Sequence, residues 1–165
     1  MSSTFRAPAP ATSKVHPATL FCALTAALSI PMALLIPLWI TAGRVLFGIH
    51  GNLVAIFAAT IGPLMVILML LSAVRITVAA TRRPRFGAPM RTSFLLLGLW
   101  LAGGTFGFLV PDVGGGSGRN GSIVTALLGS DAGGFSAALA NPVGMLTLGL
   151  TVVLLVVSVR DSRQA

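Results

Sequence analysis

Residues 18–41 read ATLFCALTAALSIPMALLIPLWIT. Thr, Ser and Cys are the sole polar interruptions, and no charge occurs in the run. A helix rises about 1.5 Å per residue, so about 20 residues cross a hydrocarbon core of about 30 Å. The run is long enough, and Trp39 near its end suits an anchor at a membrane interface. A secretory signal peptide would carry an apolar region of about 7–15 residues and a small-residue cleavage site. This run exceeds that length. Cys22 follows Leu20-Phe21, which lacks the small residue that a lipoprotein site needs before its cysteine.

Three more apolar runs follow: 53–74, closed by Arg75; 94–110, short and glycine-rich; and 136–159, closed by Arg160-Asp161. In the last, residues 143–159 are the strongly apolar part, and Asn141-Pro142 is expected to mark a kink or the true start. The pattern predicts an all-α integral membrane protein with one four-helix domain over 18–159. Residues 1–17, Pro/Ala-rich and polar, and 160–165 read as tails.

Composition agrees. Of 165 residues, 55% are hydrophobic and 8% charged, against about 25% charged in an average soluble domain. So few charges cannot cover a soluble surface, and disorder needs the opposite balance. The net charge of +8 would suggest nucleic acid in a soluble protein. Here the basic residues lie between apolar runs, where topology explains them and nucleic acid is not expected. Ten of the 11 basic residues are Arg, while Glu and Tyr are absent, a bias like that of high-G+C bacterial genomes.

If the first tail is cytoplasmic, nine basic residues fall inside: Arg6, Lys14, Arg75, Arg82, Arg83, Arg85, Arg91, Arg160 and Arg163. Two, Arg44 and Arg119, fall outside. The positive-inside rule therefore predicts N-in, C-in in a bacterial plasma membrane. The cluster Arg82, Arg83, Arg85 and Arg91 is read first as a topology determinant. It also suits anionic lipid headgroups or a partner at the inner face.

The outer loop 111–135 carries Gly114-Gly115-Gly116-Ser117-Gly118 and a short apolar run, 123–128, too short to span. The plainer reading is a flexible loop with one helical turn resting on lipid; the alternative is a lid or re-entrant segment. Asn120-Gly121-Ser122 is a glycosylation sequon, inert in a bacterium. Leu38-Trp39 with Gly43 and Leu99-Trp100 with Gly103, followed by Phe47-Gly48 and Phe106-Gly107, hint at a duplicated hairpin. Its copies would be related by an axis along the membrane normal.

No ionisable residue sits mid-span, which argues against a proton-coupled carrier. Arg44 and Arg75 lie at helix ends, where snorkelling suffices, and the three Asp fall in loops or a tail. No carboxylate pair, nucleophile–base pair or metal cluster can be assembled. Cys22 is single, so neither an intrachain disulfide nor a CxxC site exists. His50 reads as an interfacial loop residue, with haem or metal ligation the remoter alternative. No enzyme, metal or cofactor is expected.

Helix packing is the better-supported chemistry. Lipid gives no hydrophobic drive for helices to meet, so close approach at small residues must supply it. Ala58 and Gly62, and Gly103 and Gly107, are i, i+4 pairs; Ala140, Gly144, Thr147 and Thr151 follow one face. These faces are expected inside the bundle, and a homo-oligomer is open. Pro31, Pro37, Pro63 and Pro142 release carbonyls that neighbours or water must satisfy. They suit tolerated bends, or a lined pore or hydrophobic groove. The expected function is that of an accessory or assembly subunit of a membrane complex. The alternative is a small passive channel, exporter subunit or binder of lipid or a hydrophobic ligand, with Thr147 and Thr151 lining its path.

Overall fold

The computed structural model describes residues 17–49, 51–112 and 121–163. These residues are helical, without strands. Helix α1, Pro17–Ala42, tightens into a 3₁₀ turn, Gly43–Phe47, which stops at Gly48 in the left-handed region (φ 71°). The short α2, Asn52–Ala59, precedes α3, Ile61–Thr81. Helix α4 is Met90–Leu109. A one-turn helix α5, Ile123–Leu128, and a 3₁₀ turn, Ser130–Ala132, lead into α6, Gly133–Arg163. Four helical stretches are long and apolar enough to cross a membrane.

The boundaries differ from the sequence reading for identifiable reasons. The run 53–74 is not one helix. Pro63 has no N–H for the Ala59 carbonyl, and its ring crowds that carbonyl. The chain therefore breaks at Thr60 (φ −124°, ψ −83°), whose hydroxyl donates back to Ile56 O at 2.6 Å. Helix α3 also continues past Arg75, because Ile76, Ala79 and Ala80 are buried in the bundle. Helix α4 starts four residues before its apolar run, since Thr92 and Ser93 turn inward with no exposed surface. Of the two readings of Asn141-Pro142, a kink or the true start, the start is excluded: α6 begins at Gly133 and carries Pro142 inside it.

The long helices form a square. Around its perimeter the order is α1, α3, α6, α4; α1 faces α6 across the diagonal, and α3 faces α4. The connection 82–89 thus crosses a diagonal at the end that also holds the start of α1 and the end of α6. We call this the terminal end and the other the loop end. A two-fold axis along the bundle would place α1 diagonally from α4. They are neighbours instead, so the two hairpins are not related by the axis the repeat hint implied.

Each helix turns a narrow stripe inward. On α6 the buried residues are Ser136, Ala140, Gly144, Thr147, Thr151, Leu154, Ser158 and Asp161, stepping by three or four. Of these, Leu154 joins the core cluster with Met65, Met69 and Ile76 of α3, Ala26, Ala33 and Ile36 of α1, and Leu96 and Leu99 of α4. The outward faces carry the branched aliphatics, among them Leu35, Leu38, Ile67, Leu101, Leu146 and Val152. A water-soluble bundle has the reverse arrangement, with its large apolar residues inside.

Candidate functional site

The small residues lie at close helix contacts. A Cβ on Gly103 of α4 would stand 2.5 Å from Ile36 Cγ2 of α1 and 3.6 Å from Thr147 Cγ2 of α6. On Gly107 it would overlap the Trp39 ring, on Gly144 it would come within 2.6 Å of the Phe106 ring, and on Gly62 within 2.8 Å of Thr41 Cγ2. Thr147 and Thr151 are buried, but their hydroxyls donate to Val143 O and Thr147 O of their own helix, at 2.8 Å each. Ala58 differs. It lies on α2, across the break at Thr60 from Gly62 on α3, and it is exposed. Trp39 is also not a simple interface anchor. Its Nε1 donates to Gly104 O of α4 at 3.0 Å, and its ring packs on Phe108 with centroids 4.9 Å apart.

The prolines and the α2–α3 break open a lateral groove between α1 and α3. Leu34, Pro37, Leu38, Ala58, Pro63 and Val66 line it, and it encloses about 430 Å³. Its walls are almost wholly apolar.

The two ends of the bundle hold the charges that the sequence reading placed in loops and at snorkelling positions. At the loop end, the 3₁₀ turn folds Arg44 back over the end of α1, leaving it 1% exposed. Its Nη2 donates to Ile40 O at 3.2 Å, and Nη1 lies 3.4 Å from Asp112 Oδ2. The guanidinium carbon sits 5.4 Å above the Phe57 ring. Asp112, 2% exposed, accepts from Leu53 N at 3.1 Å through Oδ1. Arg44 thus satisfies the carbonyl end of α1, while Asp112 caps the amide end of α2 from across the bundle. The carboxylate rests against Gly51, where any Cβ would overlap it.

The one-turn helix is docked over this end, contrary to a turn lying loosely on lipid. Ser122 accepts from Thr125 N at 3.2 Å, Ile123 is fully buried, and Ser136 donates to Leu109 O at 2.6 Å and pairs with Ser122. Leu127 and Leu128 stay exposed. His50, Gly114–Gly118, Arg119 and Asn120 lie outside the described residues, as do residues 1–16.

At the terminal end, Asp161 is not in a tail. It belongs to the last turn of α6, is buried, and accepts from Thr92 Oγ1 at 2.6 Å and from Arg91. Its carboxylate lies at the first turn of α4, where the orphan amides favour negative charge. Arg91 is therefore paired with a carboxylate of its own chain. Arg82 and Arg85 are exposed, Arg83 is half-buried with Nη1 3.5 Å from Gly87 O, and none has a carboxylate partner among the described residues. Sequence reasoning missed both pairs, the buried Arg44–Asp112 and the half-exposed Arg91–Asp161. The available signal was the scarcity of acids: three Asp in 165 residues, two of them beside an apolar boundary.

Among the described residues no group of His, Cys, Asp or Glu is placed to hold a metal ion. Comparison with known protein families, with curated proteins and with solved structures finds no match.

Proposed function

We propose that the chain is a non-enzymatic multi-pass protein of a bacterial plasma membrane, with both termini cytoplasmic, that serves as an accessory or assembly subunit of a membrane complex. The observation that carries this reading is the lateral groove beside Pro37 and Pro63. It opens sideways, toward the space a neighbouring transmembrane helix would occupy. The exposed Ala58 on its wall admits close approach of a partner backbone, the way helices associate in lipid. The apolar outer faces and the asymmetry of the arginines support the membrane setting and the orientation.

A binder of lipid or a small hydrophobic molecule is the second reading. The same groove favours it, because its volume falls within the usual range for ligand pockets, roughly 300–1,000 Å³. A channel lined by Thr147 and Thr151 has less support, since both hydroxyls are bonded to their own helix.

The test is a mild-detergent pull-down of the tagged full chain from its native membrane, with stoichiometry of what co-elutes. A single stoichiometric membrane protein is expected, and its recovery should fall in Ala58→Leu, which fills the groove. Elution alone sinks the subunit reading. A co-purifying hydrophobic molecule lost in the same variant would establish the second.

A further inference from the structure

We propose that the cleft between the start of α1 and the 82–89 connection is a phosphate site that holds the headgroup of an anionic lipid. This rests on the reading of the chain as a membrane protein and gives its inner face a specific ligand.

The cleft is built by backbone. Ala88 N donates to Cys22 O at 3.1 Å, and Gly87, at φ +158°, lies so close to Cys22 that a Cβ there would stand 3.2 Å from the Cys22 Cβ. The connection is thereby held against α1, and a space of about 400 Å³ is left between them. Thr19, Cys22, Arg83, Arg85, Phe86 and Met90 line it.

Among the described residues no carboxylate pairs with its arginines. The chain has three carboxylate side chains. Asp112 and Asp131 lie at the opposite end, and Asp161 is held by Arg91 and Thr92. The first turn of α1 contains no acidic residue, and a helix N-terminus adds partial positive charge on the same side. Guanidinium groups match phosphate oxygens, so Arg83 and Arg85 suit a phosphate brought by another molecule.

The walls select the source. Phe86, Met90 and Cys22 make the rest of the cleft apolar, and Phe86 is 40% exposed. A phosphate ester with an apolar body can cover both surfaces, whereas free phosphate covers one.

Cys22, the single cysteine, lies in the cleft and reports its occupancy. The full chain is placed in nanodiscs of phosphatidylcholine, with or without added phosphatidylglycerol, and labelled with a neutral maleimide. Phosphatidylglycerol should slow Cys22 labelling several-fold. One basic residue near an anionic surface changes affinity roughly fivefold, so Arg83→Gln with Arg85→Gln should raise the half-protecting fraction of phosphatidylglycerol about 30-fold. Arg85→Gln alone, at an exposed position, should raise it about fivefold and covers the case in which the double variant folds poorly. Arg160→Gln with Arg163→Gln removes equal charge outside the cleft and should leave protection intact.

Labelling unaffected by phosphatidylglycerol overturns the site. Equal loss in both double variants overturns it too, in favour of a diffuse basic face. Protection by inorganic phosphate in phosphatidylcholine discs overturns the lipid source. Failure of the membrane reading looks different, because the chain would then not enter the discs at all.

Discussion

Arg44 shows how much one buried charge depends on its partner. A guanidinium out of water keeps its charge only with compensation, and Asp112, Ile40 O and the Phe57 ring supply it here. Removing one member leaves the other uncompensated, at a cost of about 3–5 kcal/mol. Arg44→Gln and Asp112→Asn should each lower the thermal midpoint in detergent strongly, and the double variant should lose clearly less than the two losses added. Additive losses would mean that the two side chains are energetically independent. At Gly103 the limit is steric. Gly103→Leu forces a side chain into Ile36 and should destabilise by about 1–3 kcal/mol. Gly98→Leu, on the same helix with nothing within 4 Å of its Cβ position, is the matched control. An unchanged melting temperature for Gly103→Leu would remove the packing role.

Element boundaries follow packing where the apolar pattern and packing disagree. The sequence ends a run at Arg75, since hydropathy drops there, but Ile76, Ala79 and Ala80 still face α1 or α6 and carry α3 to Thr81. The start of α4 was hidden for the same reason: Thr92 and Ser93 are polar, yet both are buried, with Ser93 accepting from Thr25 of α1 at 2.8 Å. By contrast, the inward stripe of α6 was legible over Ala140, Gly144, Thr147 and Thr151, because small residues at spacings of three and four have one use in an apolar helix. The α2–α3 break was legible only as a proline. Whether Pro63 bends a helix or ends one depends on Thr60, whose backbone leaves the helical region. Pro63→Ala returns the missing N–H to Ala59 O. It should fuse α2 with α3 and slow hydrogen exchange across residues 59–64. Unchanged exchange there would place the cause of the break elsewhere, in the anchoring of α2 by Asp112.

At the scale of the molecule, four crossings put both termini on one side of any membrane the bundle spans, whatever that side is. The arginines carry the proposed choice of side. The terminal end holds Arg82, Arg83, Arg85, Arg91, Arg160 and Arg163, while the described part of the loop end holds Arg44, which Asp112 already neutralises. The positive-inside rule counts arginines and gives acids little weight, so this distribution supports the proposed cytoplasmic placement of the terminal end. The order of helices around the square was not legible, because four similarly apolar helices fit several orders and the choice rests on which small residue meets which large one, as Gly107 meets Trp39 and Gly144 meets Phe106. Orientation is open to direct measurement. In a Cys22→Ser background, Ser130→Cys and Ser162→Cys are placed one at each end of α6 and its preceding turn. An impermeant thiol reagent added to intact spheroplasts should label Ser130→Cys at once and Ser162→Cys only after permeabilisation. The reverse pattern would invert the molecule and move the basic cleft to the outer leaflet. Labelling of both from one side would mean that α6 does not cross, and the four-span architecture would fail with it.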